Sequence, residues 1–137
     1  SENSLIMVIG PYSETEHIAL DEEFRTPPAF LFGAEPPRGW CYYYEKASYE
    51  RQRGNWEEVF KLGEQAFSSG FFPADPVEWM PFIQAYATLG DVPRLASLAP
   101  QVTADPFIGR QACSLLQSRP FTADVLEVVD RDYCASN

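Results

Sequence analysis

The stretch of sequence that decides the fold runs from Trp40 to Phe67 and reads WCYYYEKASYERQRGNWEEVFKLGEQAF. Large apolar side chains recur in it at the i, i+3, i+4, i+7 spacing of an amphipathic helix, first before Gly54 and again after it. The stretch therefore predicts two helices, each with one apolar face. The first face carries Trp40, Tyr43, Tyr44 and Ala47, and the second carries Trp56, Val59, Phe60, Gly63, Ala66 and Phe67.

The link between these two helices carries its own signals. Gly54 predicts the end of the first helix, because glycine readily adopts the left-handed conformation that commonly closes a helix. Asn55 predicts the N-cap of the second helix, and Glu58, three residues later, completes the pattern of a capping box. A link this short predicts that the two helices pack as an antiparallel pair.

Similar start signals recur towards the C-terminus. Asp75-Pro76 and Asp105-Pro106 each place a capping acid before a proline at the first helical position. Pro81 is expected to bend the helix that follows Asp75, or to delay its first turns, because proline cannot donate a hydrogen bond to Val77. The helix after Asp105 is expected to bury Phe107, Ile108, Ala112, Leu115 and Leu116.

Four positions bound the remaining helices. Gly90 predicts the end of the helix that contains Pro81. Asp91 predicts the cap of a shorter helix, which is expected to end at Pro100. Thr122 predicts the cap of a last helix, whose apolar face would carry Val125, Leu126 and Val129.

The pattern around Gly54 returns around Gly90, 36 residues later. Paired helices with a period of about 34 residues are typical of tetratricopeptide repeats, and residues 40–100 resemble about two such units. The resemblance implies a mainly α fold, a tetratricopeptide-like stack of antiparallel helix pairs. Small residues would allow close helix contact, and large aromatic residues would fill the space between pairs. The repeat positions are Trp40, Tyr43, Ala47, Gly54, Trp56, Ala66, Trp79, Tyr86 and Gly90.

A second resemblance covers residues 27–100. The runs FGAEPPRGWCYYYEKA (32–47), RQRGNWEEV (51–59) and PFIQAYA (81–87) are similar to the C-terminal tail of certain multi-pass bacterial membrane proteins, some of which resemble glycosyltransferases. This resemblance implies a domain that is tethered to a membrane through a part of the chain not present here. It leaves open on which side of the membrane the domain lies. It transfers no catalytic residue.

The first 39 residues differ from the rest. The apolar run 5–9, closed by Gly10-Pro11, predicts a short buried strand, with which residues 17–20 could pair. Pro27-Pro28 and Pro36-Pro37 favour an extended, polyproline-like path that the apolar residues 30–32 would hold against the core.

We therefore divide the chain into two regions that together form one structural domain. Residues 1–39 would form an N-terminal strand and a Pro-rich extended segment that packs on the core. Residues 40–137 would form the helical repeat domain. Because two helix pairs bury little surface alone, the N-terminal segment is expected to cover an exposed end of the stack.

Composition narrows the classes of function. The chain of 137 residues is 45% hydrophobic and has a formal net charge of −10. Such a charge repels phosphates, so nucleic acid is not an expected partner, and anionic membrane surfaces are disfavoured. No run of 18 apolar residues occurs, so no direct membrane insertion by this fragment is expected.

The sequence predicts no catalytic residue, no metal site and no cofactor. The single histidine, His17, has no recognisable Ser or Cys nucleophile that it could activate as a general base. No Gly-rich phosphate loop occurs. The close carboxylates at 57–58 and 130–132 are interpreted as solvated surface groups rather than as acid–base pairs. We therefore expect that the chain is not an enzyme.

Three cysteines, Cys41, Cys113 and Cys134, lie far apart in sequence. Their spacing argues against a zinc site or a CxxC redox pair. Three thiols are favoured, with one disulfide and a free thiol as the alternative. A bridge between Cys41 and Cys113 is not expected, because they would belong to distant helices of the stack.

Aromatic residues provide the binding hypothesis. Tyr42, Tyr43 and Tyr44 point about 100° apart around their helix, so they cannot all face one core. Arg51 follows Tyr44 by two turns, and tyrosine and arginine are enriched at binding hot spots. We therefore expect a groove lined by Tyr42 or Tyr44, Arg51 and Arg94. The alternative is that the third tyrosine packs under residues 30–32.

These patterns favour a non-catalytic protein–protein interaction or scaffolding module that binds a protein or peptide segment. The second resemblance makes it part of a larger membrane protein. The alternative is an accessory domain of a membrane-bound glycosyltransferase-like enzyme, which would bind a sugar or lipid-linked sugar. Aromatic and carboxylate side chains suit both kinds of ligand, so composition leaves this choice open.

Overall fold

A computed structural model describes residues 28–33 and 37–135, without the side chains of Ala29 and Phe32. The chain divides into two compact units, Ser1–Pro36 and Pro37–Asn137. The described residues are mainly helical, as predicted, and contain no strand. The strands predicted at 5–9 and 17–20 lie outside the described residues, so they stay predictions.

In the first unit, Ala29–Phe32 form a single helical turn. The prediction of an extended path is therefore wrong for these four residues. Pro28 explains the turn, because its carbonyl accepts a hydrogen bond from the Leu31 amide at 3.0 Å. Gly33 follows with a φ of 80°, which is typical of a residue that closes a helix. The side chains of Phe30 and Leu31 are exposed.

The second unit contains six α-helices in its described residues. A 3₁₀ turn, Pro76–Trp79, precedes the third helix, and a π-helix, Val129–Cys134, continues the sixth. The helices are α1 (Trp40–Gln52), α2 (Trp56–Ser68), α3 (Met80–Leu89), α4 (Val92–Thr103), α5 (Pro106–Gln117) and α6 (Ala123–Val128).

Consecutive helices from α1 to α5 pack against each other. The contacts run from α1 to α2 and onward in order to α5, and the π-helix packs on α5. Contacts also join three pairs of alternate helices, α1 with α3, α3 with α5 and α4 with α6. The core lies along these contacts and includes three predicted repeat positions, Ala47, Trp79 and Tyr86.

The helix boundaries follow the predicted local signals closely. Gly54 and Gly90 each follow a helix with a φ of 72°, the left-handed conformation that favours glycine. The carboxylates of Asp75, Asp91 and Asp105 each accept hydrogen bonds from backbone amides in the first turn of their helices.

Asn55 departs from its predicted role. It stands at the N-cap position of α2, but its side chain makes no capping hydrogen bond. Its amide nitrogen instead donates to Glu50 Oε2 at 3.0 Å. The predicted capping box is therefore wrong, because a carboxylate in the preceding helix competes for the asparagine.

Pro81 acts as predicted. Since Pro81 has no amide hydrogen, Val77 cannot receive the usual α-helical hydrogen bond from it. The Val77 carbonyl accepts instead from the Met80 amide, three residues on, and the first turn is 3₁₀ rather than α.

Pro100 does not end its helix, contrary to the prediction. Helix α4 continues through it to Thr103. Leu95, Ala99 and Val102 form one buried stripe across the proline. Burying a valine contributes about 1.5–3 kcal/mol, which is similar to the cost of an interior proline.

Two apolar residues predicted on buried faces are exposed. Phe107 is 59% exposed and Leu126 is 36% exposed. The buried face of α5 instead includes Gly109 and Cys113. Phe107 precedes Gly109 by two positions, which places it about 200° away around the helix.

The cysteines also differ from the favoured expectation of three thiols. Cys113 and Cys134 form a disulfide, whereas Cys41 is free and exposed. The sequence could not indicate this pair, because it depends on how the π-helix packs against α5.

Candidate binding surface between α1 and α3

The face of α1 that contacts α3 carries two of the predicted site residues, Tyr44 and Arg51. Arg51 Nη1 donates a hydrogen bond to Gln84 Oε1 of α3 at 3.3 Å. Gln84 is 3% exposed, whereas Tyr44 and Arg51 are half-buried. A buried amide needs a partner, so Arg51 and Gln84 fix each other's positions.

The other end of this face is aromatic and acidic. The rings of Trp40 and Tyr44 stack with centroids 6.2 Å apart. Trp40 Nε1 donates to Glu78 Oε2 at 2.7 Å. We call these five residues the α1–α3 seam: Trp40, Tyr44, Arg51, Glu78 and Gln84.

The α1–α3 seam retains hydrogen-bonding capacity. An arginine has five N–H donors, and Arg51 uses only one nitrogen within the described residues. Among the residues that the structure describes, the Tyr44 hydroxyl has no hydrogen-bond partner. Glu78 accepts a hydrogen bond through one of its two carboxylate oxygens. Arg51 follows Trp40 by eleven positions along α1, so the seam extends about 16 Å along the helix.

Tyr42 lies elsewhere on α1. Its ring contacts Tyr43 edge-on, and two cations lie over it, with Arg38 at 4.8 Å and Lys46 at 5.8 Å from the ring centroid. Tyr42 and Tyr44 therefore have different partners, and only Tyr44 belongs to the α1–α3 seam.

Arg94 takes part in a separate cluster that joins α2, α3 and α4. Its guanidinium lies within 3.2 Å of both Glu64 and Asp91 and over the ring of Phe60, 5.1 Å from the centroid. The hydrogen bond to Glu64, and to a smaller extent the hydrogen bond to Asp91, raise the pKa of Arg94 above its ordinary value. No described contact joins Arg94 to Tyr42, Tyr44 or Arg51.

Tyr86 completes the Arg94 cluster. Burial, and then the charge of Glu64, raise the pKa of the Tyr86 hydroxyl above its usual range. The hydroxyl therefore stays protonated and donates to Glu64 Oε1 at 3.4 Å. In this cluster every charge is paired, and we interpret it as a structural link between helices.

The other acidic groups noted in the sequence have separate partners. Asp130 accepts a hydrogen bond from Gln117 at 3.3 Å, and Asp132 pairs with Arg131 at 2.7 Å. Glu58 pairs with Lys61 at 3.4 Å. Across residues 28–33 and 37–135, no group of three or more His, Cys, Asp or Glu residues could hold a metal ion. His17 lies outside these ranges.

Sequence reasoning missed two seam residues, Glu78 and Gln84. Gln84 had a visible signal, because it is a polar residue within the apolar run from Met80 to Ala87, all of which is buried. A polar side chain inside such a run indicates a specific hydrogen-bond partner. Glu78 gives no comparable signal, because its partner Trp40 lies 38 residues earlier in the chain.

Comparison with known protein families, curated proteins and solved structures gave no significant match. Among the helices that the structure describes, none is long and apolar enough to span a membrane.

Proposed function

We propose that the helical unit is a non-catalytic protein-interaction module, a tetratricopeptide-like stack that binds an extended peptide segment along the α1–α3 seam. We further propose that it is the extramembrane part of a larger membrane protein. The observation that carries the proposal is the seam itself, in which unused polar groups flank an aromatic surface.

The helix contacts support a repeat architecture. In a solenoid, each helix pair contacts only its neighbours, and equivalent helices line one surface. Here α1 contacts α3 and α3 contacts α5, while α4 contacts α6. This pattern is the one expected of three consecutive helix pairs, in which α1, α3 and α5 are equivalent.

The chemistry of the seam suits a peptide backbone. Arg51 offers donors to a carbonyl or carboxylate, and Glu78 offers an acceptor to an amide. The Trp40 and Tyr44 rings between them provide apolar area at a low entropic cost. A span of about 16 Å corresponds to about five residues of extended peptide.

The experiment that tests binding uses the 137-residue chain and a phage-displayed library of random peptides. The strongest selected peptide is synthesised with a fluorophore, and its affinity is measured by anisotropy. We expect Arg51→Ala to weaken binding by about tenfold or more, because a hydrogen bond to a charged group contributes about 1.5–3 kcal/mol. Tyr44→Ala is expected to weaken binding similarly.

Arg110→Ala is the matched control. Arg110 is an exposed arginine on α5 and takes no part in the hydrogen bonds of the seam, so its removal should change affinity by less than about twofold. Circular dichroism of each variant checks that the helices remain folded. Equal affinities of wild type and Arg51→Ala would contradict the proposed site. Selection of no peptide, together with binding of oligosaccharides, would favour the alternative accessory sugar-binding domain.

The membrane proposal has its own test. Several spans of about 20 apolar residues elsewhere in the full reading frame would support it. Their absence from the complete gene product would contradict it and leave the peptide-binding proposal intact.

A further inference from the structure

The last helix is fastened to the stack by two consecutive residues. Tyr133 donates a buried hydrogen bond from its hydroxyl to the Leu95 carbonyl of α4 at 2.7 Å. Cys134 forms the disulfide to Cys113 of α5, with 5.2 Å between the Cα atoms, within the range that a disulfide requires. One end of the π-helix is thus joined to two different helices.

Packing, and not only the sulfur–sulfur bond, holds this cysteine pair together. Val129 and Tyr133, which are four residues apart in the π-helix, are both buried. Cys113 is itself buried on α5. The backbone around both cysteines is therefore fixed by core contacts. Two thiols held this close would react readily wherever an oxidant is present.

We infer that this helical unit matures and works in an oxidising compartment, outside the reducing cytosol, and that the Cys113–Cys134 disulfide is its stable state there. Structural disulfides persist in secreted, periplasmic, lumenal and cell-surface proteins. In the cytosol of most organisms, glutathione and thioredoxin keep such pairs reduced.

The chemistry of closure requires a disulfide-bearing oxidant of the thiol–disulfide exchange class. The thiolate of one cysteine attacks a sulfur of the oxidant, forms a mixed disulfide and releases one thiol. The second cysteine then attacks the mixed disulfide and releases the other thiol. The two cysteines lose two electrons and two protons in total, and the oxidant gains them as a dithiol.

Combined with the proposed membrane tether, this inference places the unit on the extracytoplasmic side. The extracytoplasmic position rests on the proposed function, whereas the oxidising compartment does not. The number of free thiols in the protein depends neither on peptide binding nor on the tether. The proposed function and the oxidising compartment can therefore fail separately.

The test counts thiols in the full-length gene product in its own cells. Cells are quenched with acid, the protein is denatured without reductant, and free thiols are alkylated with N-ethylmaleimide. Mass spectrometry of peptides that contain the three cysteines then reports which sites are alkylated. We expect alkylation at Cys41 alone in wild type, and at both Cys41 and Cys134 in Cys113→Ser.

Cys41→Ser is the matched control, since it removes the exposed thiol and leaves the pair intact. No alkylation in this variant, and full alkylation of Cys113 and Cys134 after reductant is added, would support the inference. Alkylation of Cys113 and Cys134 in acid-quenched wild-type cells would overturn it. A disulfide from Cys41 to either other cysteine would also overturn it, because the pairing would then be wrong.

Discussion

The guanidinium of Arg94 donates two hydrogen bonds to the carboxylate of Glu64, 30 residues earlier in the chain. Nε lies 3.1 Å from Oε1, and Nη2 lies 3.0 Å from Oε2. Arg94 belongs to α4 and Glu64 to α2, so this pair joins two helices that are not adjacent in sequence. The Arg94 cluster therefore stabilises the arrangement of neighbouring helix pairs.

Arg94→Ala is expected to lower the free energy of unfolding by about 1 kcal/mol. The two side chains are 45% and 39% exposed, so water and salt screen the ion pair and the effect stays near that of other surface networks. Urea unfolding measures it, and the loss should shrink at high salt. Arg110→Ala, which removes an exposed arginine from α5, should change stability by less than about 0.5 kcal/mol. Equal effects of the two substitutions would contradict the structural role of Arg94.

Two helical glycines should respond to alanine in opposite ways. A Cβ at Gly63 would lie 2.8 Å from Cδ1 of the buried Phe82 ring, whereas one at Gly109 would lie 3.5 Å or more from Thr103. Gly63→Ala is therefore expected to destabilise the fold by about 1–3 kcal/mol through overpacking between α2 and α3. Gly109→Ala should stabilise it by up to about 1 kcal/mol, because alanine favours helix.

Thermal unfolding of both glycine variants gives the comparison. Since the same chemical change is made in both, helix propensity is matched and only the space differs. A stabilising Gly63→Ala would show that α2 and α3 are further apart than the structure places them.

Alkaline pH should destabilise the fold through two buried tyrosines. Burial raises the pKa of Tyr86 and of Tyr133 above the ordinary value of 10.0. Above about pH 10 the unfolded chain loses these protons while the folded chain keeps them, so the free energy of unfolding falls as the pH rises. Below about pH 10 both states keep the protons, and the contribution of the tyrosines to stability is fully present. Each tyrosine contributes up to about 1.4 kcal/mol per pH unit.

Urea unfolding between about pH 8 and about pH 11 measures this slope. Tyr133→Phe should reduce it by about half, and should also cost about 1 kcal/mol at neutral pH through the lost hydrogen bond to Leu95. A slope that Tyr133→Phe leaves unchanged would show that the hydroxyl is not buried.

The disulfide should contribute to stability by restricting the unfolded chain. Cys113 and Cys134 are 21 residues apart, and a loop of this size predicts a contribution of about 3 kcal/mol. Replacing both cysteines by alanine, or adding reductant to wild type, should lower the free energy of unfolding by that amount. Reductant should not affect the double variant, and Cys41→Ser should behave as wild type.

Local signals in the sequence predicted most helix boundaries. Gly54, Gly90 and Asp75 act within one or two turns of their own positions, so their roles depend little on the rest of the chain. Pro81 delayed its helix for the same local reason. Pro100 did not end its helix, because burial of Val102 on the far side is a tertiary effect that local rules do not include.

The candidate site was predictable only in part. The two-turn spacing places Tyr44 and Arg51 on one side of α1, which the structure shows as a continuous helix, and the same 100° rule separates Tyr42 from Tyr44. The sequence could not indicate that Arg94 would pair with Glu64, nor that Cys113 would meet Cys134. Both relationships depend on how distant helices pack.

The most direct test of the central claim is a map of the peptide-binding surface by NMR. The probe is the peptide selected on the wild-type chain, titrated into the ¹⁵N-labelled protein while backbone amide shifts are followed. The account predicts that the largest changes lie along α1 and α3, around Tyr44, Arg51 and Gln84, and that Arg51→Ala needs about tenfold more peptide to reach the same changes. Changes confined to α5 and α6, or to the exposed Phe72 in the link after α2, would contradict it.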